Sequence, residues 1–357
     1  MIYREAGQFK STYVEDQAVF PILQDRIFVL VAIVVAFLVP LVANEYWLQA
    51  VLIPFLIFSL AAIGLNLLTG YAGQLSLGTG AFMAVGAYAT YKLSTGFPDL
   101  NLIVVFLLAG LVTAAVGIVF GLPSLRIKGF YLAVATLAAQ FFILWLFNKV
   151  GWFYNNNPSG TIQAPPRFVL GFMVSGPAAT ASARYVLALA VLVVFGVAAK
   201  NIVRGRIGRS WMAIRDMDIA AEIMGIRPLQ TKLMAFAVSS FYCGVAGAMM
   251  IFLWLGSTDT LAFDINLSFE VLFMVIIGGL GSILGSIMGA AFIVLVPIFL
   301  TNAPDLVGLH IPTALEQNAE AIVFGAMIIY FLIVEPNGFA RLWQIAKEKL
   351  RRWPFPY

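Results

Sequence analysis

Few residues in this chain are of kinds that do chemistry, and the densest group of them sits in one window. From Arg204 to Lys232 the sequence reads RGRIGRSWMAIRDMDIAAEIMGIRPLQTK, the most charged stretch of the 357 residues. At 100° per residue Arg215, Asp218 and Glu222 fall on one narrow helical stripe. Ala213, Ile214, Met217, Ala220, Ala221 and Met224 cover the opposite side, and Met212, Ile219 and Ile223 widen the apolar surface. Ser210 is of N-cap type, Gly225 suits the C′ position and Pro228 follows it, so one helix is expected between them. Such a stripe supports ion pairs and close packing. The broad apolar side suits a helix lying against its own chain while offering surface to a partner; packing beneath its own bundle alone is the other reading.

Catalytic chemistry has little to work with. The single cysteine, Cys243, lies in an apolar run and the single histidine, His310, in a short loop, so neither a disulfide framework nor a Cys- or His-based metal site is expected. There is no H-E-x-x-H, C-x-x-C or G-x-S-x-G. No Gly-Lys dipeptide occurs that could build a G-x-x-x-x-G-K-[ST] phosphate loop. The expectation is a chain that is not an enzyme and carries no cofactor.

A second group of polar residues lies at two glycine-rich junctions. Thr69–Tyr88 reads TGYAGQLSLGTGAFMAVGAY and Ile277–Ala291 reads IGGLGSILGSIMGAA; each opens with G-x-x-G (Gly70/Gly73 and Gly278/Gly281). Small residues at helical spacing let helix backbones approach closely. Non-helical backbone inside a membrane survives only where it is buried or lines a cavity. Tight packing explains the glycines singly. The functional expectation is that both junctions flank a translocation path, with Asn66, Thr69, Gln74, Ser76 and Thr79 in the first and Ser282 and Ser286 in the second as its polar groups.

The elements that must hold these groups follow from composition. The chain is 62% hydrophobic and 11% charged, with a mean hydropathy of +0.96, which is a polytopic helical membrane protein rather than a soluble domain. Ten spans are expected, at 27–43, 48–68, 75–92, 102–121, 130–147, 185–203, 233–255, 267–281, 283–300 and 319–334. With the N-terminus inside, all of the 21 Lys and Arg except Lys92, Lys149, Arg167 and Arg184 fall on the cytoplasmic side, which sets the orientation. The division is then a cytoplasmic segment 1–26 with no cleavable signal peptide, a transmembrane domain 27–334 and a basic cytoplasmic segment 335–357. Within the domain, 148–184 is a periplasmic loop and 204–232 a cytoplasmic one. Arg341–Arg352 is expected to be a basic surface helix touching anionic lipid, and the net charge of +4 calls for no nucleic acid. Glu270 and Glu320 are placed near the outer ends of their spans. That leaves no ionisable group at any midplane and argues against a proton relay.

The runs IGLNLLTGYAGQLSLGTGAFMAVGAYAT, LPSLRIKGFYLAVATLAAQ, GRIGRSWMAIRDMDIAAEIMGIRPLQTKLMAFAVSSFYCGVAGAM and FEVLFMVIIGGLGSILGSIMGAA, in order over about residues 55–300, resemble the LivM-type permease subunit of branched-chain amino-acid ABC importers. Ala220-Ala221-Glu222-x-x-Gly225 also resembles the EAA loop of ABC importer permeases. That likeness implies an all-α transmembrane bundle whose coupling helix docks in a cleft of a cytoplasmic ATPase. Arg215, Asp218 and Glu222 would be the polar contacts, and Ala220, Ala221 and Gly225 the close-packing ones. It further implies a second permease of LivH type, two ATPase subunits, a periplasmic substrate-binding protein and residence in the bacterial inner membrane. The loop NNNPSGTIQAPPR keeps only Asn157, Ser159 and Gly160 of a TGG-x-NG-like stretch seen in relatives, so urea, short amides or aromatic acids stay open as cargo. A stand-alone secondary transporter or channel is the rival class.

Overall fold

The computed structural model describes residues 11–12, 23–124, 131–169, 171–176, 179–307, 322, 325–326, 329–330, 333 and 338–352. His310, Glu320 and most of the expected span 319–334 and of segment 1–26 lie outside them. In chain order the helices are α1 (Leu23–Leu38), α2 (Trp47–Tyr71, with a π turn at each end), α3 (Thr79–Gly96), α4 (Leu102–Ser124) and α5 (Tyr131–Lys149). Three short strands follow, β1 (Ile162–Gln163), β2 (Arg167–Val169) and β3 (Phe172–Ser175). Then come α6 (Ala181–Arg204), α7 (Arg206–Asp216), α8 (Asp218–Ile223), α9 (Pro228–Leu255), β4 (Ser257–Thr258), α10 (Ile265–Gly278), α11 (Ile283–Val307) and α12 (Gly338–Arg352).

Among the described residues six segments are long and apolar enough to cross a membrane: α2, α4, α5, α6, α9 and Thr260–Gly278. Ten were expected. The stretches at 27–43, 75–92 and 283–300 are helical over most of their length, but α1 has 16 residues, α3 is diluted by glycine, threonine and serine, and the apolar part of α11 is short.

Hydropathy does not sort the bundle, because lipid tails are as apolar as leucine: α2 and α6 are equally hydropathic but differ in burial. The central helices α2 and α9 have 89% and 83% of their apolar windows buried, against 39% for α4, α5 and α6. α9 packs on α2, α3 and α4. Glycine makes the closest crossing: a Cβ on Gly86 of α3 would overlap the Gly244 carbonyl of α9, and one on Gly247 the Met83 carbonyl. Aromatic rings fill the remaining space, as where Phe82 meets Phe236 edge-on at 5.5 Å.

At one end of the bundle the 148–184 connection folds into small antiparallel pairs. β1 pairs with β4, Ile162 opposite Thr258, and β2 pairs with β3 around a bulge at Arg167/Phe168. The buried Arg167 guanidinium donates to the carbonyls of Ser94, Phe97 and Pro98. Those carbonyls lie at the C-terminus of α3, where a cation is favoured. At the opposite end lie α7, α8, the glycine junctions and the start of α12, where Gly338 packs on the Ile277 carbonyl. There Lys347 of α12 pairs with Asp25 at 2.9 Å, and Phe28 meets Trp343 at 5.8 Å.

Two helices start well inside the bundle. Residues 72–78 are not helical, and α3 begins at Thr79, later than the expected 75. α10 begins beside the middle of α5: Gln140, the central residue of that helix, donates from Nε2 to the Phe263 carbonyl at 2.7 Å. The expected position of Glu270 near an outer end is therefore corrected. The descent from β4 to Asp264 takes one 3-10 turn, Thr260–Phe263, between extended Asp259 and Asp264, so Glu270, the sixth residue of α10, lies close to the level of the α5 midpoint.

Candidate functional site

The charged window folds as two helices rather than one. α7 starts at Arg206, with Gly205 at the N-cap, and Ser210 is inside it, donating to the Arg206 carbonyl. Met217 is extended (φ −155°, ψ 97°), ending α7 and preceding α8. The break has a physical cause. In one continuous helix Asp218 would stand at 340°, between Ile214 at 300° and Trp211 at 0° on the same scale, and Trp211 and Ile214 are 0% and 5% exposed. Breaking the helix keeps the carboxylate out of that buried face. It sets Asp218 in the first turn of α8, among free backbone N–H groups.

Arg215 is exposed, as Glu222 is, but its guanidinium is engaged within the chain. Its Nη1 donates to the Gly70 carbonyl at 2.8 Å, and its Nε pairs with Asp216 at 2.9 Å. Its aliphatic stem crowds Gly73. Ala221 is fully buried, Ala220 and Asp218 are half-buried, and Glu222 is exposed. What faces outward is apolar: Met217, Ile219, Ile223 and Met224 are 66–83% exposed. Gly225 (φ +88°) is the C′ residue of a Schellman motif, in which Ile226 N–H donates to Ala221 O and Gly225 N–H to Glu222 O.

Arg215 rests on the two glycine junctions, and Asn66 binds these to each other. Asn66 Nδ2 donates to the Ser282 carbonyl at 2.9 Å and to Ser286 Oγ at 2.7 Å, while Gly281 N–H donates to Asn66 Oδ1 at 2.9 Å. Gly279 and Gly281 have φ of +110° and +77°, values only glycine adopts without strain. A Cβ on Gly70 would overlap Asn66 Oδ1 and Gly281 N. Of the seven residues expected along a translocation path, Asn66, Ser282 and Ser286 thus form this knot. Thr69 bonds within α2, to the Leu65 carbonyl at 2.9 Å.

Gln74, Ser76 and Thr79 belong to a different place. They are buried in and just after the non-helical link, and the Gln74 amide and Thr79 hydroxyl have no hydrogen-bond partner. The surrounding N–H groups are taken by side chains that the sequence did not single out. Leu77 N–H bonds Thr136 Oγ1 at 2.9 Å, Gly80 N–H bonds Ser268 Oγ at 2.8 Å, and Ala81 N–H bonds Gln140 Oε1 at 2.6 Å. Ser268 Oγ also donates to Gln140 Oε1 at 3.1 Å. Gln140 therefore fastens the starts of α3 and α10 together at half-depth. Its only sequence signal is a lone amide in the middle of an apolar span. Among the described residues no group of three or more His, Cys, Asp or Glu could hold a metal ion.

A multi-pass helical membrane protein, with two helices that start inside it and an exposed apolar ledge at one end, has the build of a transport subunit. Residues 47–332 match the family described as branched-chain amino acid transport system / permease component, and the chain belongs to that family. It is 31% identical over 259 residues to the high-affinity branched-chain amino acid transport system permease protein LivM of Salmonella typhimurium, and 30% identical to that of Escherichia coli. The match takes in 67% of this chain and 60% of either relative, so the chain spans about three fifths of their length. A probable branched-chain amino acid transport permease protein LivM of Methanocaldococcus jannaschii is 23% identical over 332 residues, 82% of this chain and 92% of that one. No solved structure matches the chain.

Proposed function

We propose that this chain is one membrane subunit of an ATP-driven importer, carrying branched-chain amino acids across the inner membrane while ATP is hydrolysed in separate subunits. The observation that carries the reading is the ledge α7–α8, which offers Met217, Ile219, Ile223 and Met224 outward while Arg215 ties it to both glycine junctions. Burying an isoleucine or methionine contributes about 1.5–3 kcal/mol, so this face is a docking surface for a cytoplasmic ATPase. Asp218 and Glu222 form its polar edge, Ala220 and Gly225 allow close approach, and Ala221, fully buried, lets α8 pack closely on its own chain.

In this reading the ledge end is cytoplasmic, with both termini and the 204–232 loop, and the strand end is periplasmic. The remaining partners are a second permease of LivH type, two copies of the ATPase and a periplasmic substrate-binding protein. α12, with Arg341 and Lys349, touches anionic lipid. When the ATPases close they push the ledge. The push reaches Gly70 and Gly281 through Arg215 and Asn66, and so reaches α2, α10 and α11.

Ile223→Asp tests this. The residue is 83% exposed, so the chain should still insert and fold. The ATPase subunits should no longer co-purify with it, and leucine uptake should fall at least ten-fold. Unchanged uptake and co-purification would refute the docking face.

A further inference from the structure

We propose that the outer face of α10, with Asn266 and Glu270, together with the 3-10 turn Thr260–Phe263 that leads into it, is the water-exposed wall of the transport path at half-depth. Glu270 is the wall residue that meets the solute. This deepens the transport reading above and rests on it.

The depth is set by contacts. Phe263 O and Ser268 Oγ both bond Gln140, the central residue of α5. With a rise of about 1.5 Å per residue, Glu270 lies only about 3 Å further along the axis than Ser268. The direction is set by burial. Ser268, Val271, Leu272, Met274 and Val275 are buried against the bundle, whereas Asn266 and Glu270 are exposed. Asn266 Nδ2 also bonds Asp264 Oδ2 at 2.6 Å, which extends the polar stripe to the helix start.

Hydrocarbon is a poor neighbour for this stripe. An acidic side chain at the centre of a spanning helix costs about 2.5–3.5 kcal/mol on insertion scales, and such groups face a bundle interior or water. The descent from β4 is an independent sign of the same thing. Backbone that is not α-helical at membrane depth persists only when it is buried in protein or lines a water-filled cavity, and here extended Asp259 and Asp264 flank a 3-10 turn whose Leu261 is 76% exposed. Asn66, Ser282 and Ser286 are committed to the junction knot and Gln74, Ser76 and Thr79 are buried, whereas Asn266 and Glu270 of α10 are exposed. A wall bearing a carboxylate favours a solute with an ammonium group and disfavours an anion, which fits an amino-acid zwitterion better than an aromatic acid.

The test uses the complete importer in membrane vesicles. With Cys243 replaced by alanine, no native thiol of this chain remains to react. In that background Asn266→Cys, Glu270→Cys and, as a comparison on the apolar outer face of α5, Phe141→Cys (58% exposed) are treated with a charged, membrane-impermeant methanethiosulfonate. The first two should react at least ten-fold faster than the third, in the resting or the vanadate-trapped state, and leucine should slow them. In the otherwise native chain, Glu270→Gln should raise KM for leucine about ten-fold. Reaction of positions 266 and 270 only with a lipid-soluble maleimide would overturn the wall. So would a disulfide to the second permease with no thiosulfonate reaction in either state. Failed labelling in an importer that still moves leucine removes the wall alone. Labelling in a complex that moves no amino acid removes the functional reading alone.

Discussion

Replacing Asn66 with alanine removes three hydrogen bonds at once: two donated from Nδ2, to Ser282 O and Ser286 Oγ, and one accepted from Gly281 N–H. Two effects set the magnitude. Measured side-chain bonds between membrane helices average about 0.6 kcal/mol, with about 1.7 as the upper end, because an unfolded span in lipid finds other partners. A buried group left without a partner costs about 1–3 kcal/mol. Ser282 O keeps the Ser286 N–H and hydroxyl bonds, so only the Gly281 N–H is orphaned. The smaller scale applied to the two donated bonds, plus the orphan, gives a loss of about 2–4 kcal/mol. That is a large part of the 5–15 kcal/mol by which proteins are usually stable. Ser286→Ala breaks one of these bonds and should cost about 1 kcal/mol. The double variant should therefore lose less than the sum of the singles, with a coupling of at least about 0.5 kcal/mol. Equilibrium unfolding of the purified chain in mixed micelles measures all three. Additive losses, or an Asn66→Ala change under about 0.5 kcal/mol, would show that the junctions are held by backbone packing and that the asparagine is incidental.

Arg215→Met keeps the stem that packs on Gly73 but loses the bond to Gly70; substrate-stimulated ATPase in the assembled importer should drop several-fold while assembly persists, as pull-down of the ATPase subunits would show. Gly225→Ala meets no atom within 4 Å, yet places a side chain at φ +88°, so leucine uptake should fall moderately through strain of about 1 kcal/mol; Gly225→Arg, which adds bulk to the docking face, should abolish it. Gln140→Leu strips the Ala81 N–H and Phe263 carbonyl of their partner and should lower the thermal midpoint by several degrees, read by tryptophan fluorescence.

Much of the fold is visible in the residue order because apolar runs of span length and Gly-Pro punctuation have local physical causes. The glycine junctions are visible for the same reason, since G-x-x-G marks close backbone approach without naming the partner. The break at Met217 is not visible, because the periodicity of Ala213–Met224 continues straight through it. It arises only once Trp211 and Ile214 are buried and Asp218 has to avoid their face. Asn66 was identified as polar and important, but whether it lines a path or closes a knot depends on Ser286, 220 residues away in the chain. The depth of Glu270 is not legible because a span at 267–281 puts it at an outer end, while α10 in fact begins beside the middle of α5.

Both ends of α10 are fastened. Gly281, just past its C-terminus, is held by Asn66, and Phe263 and Ser268 at its N-terminus are held by Gln140. A short rod pinned at each tip behaves as a strut: shove one tip and the other travels with it, since neither set of bonds can stretch far before it parts. What happens where the motor grips is then felt midway across the bilayer without any intervening element having to bend.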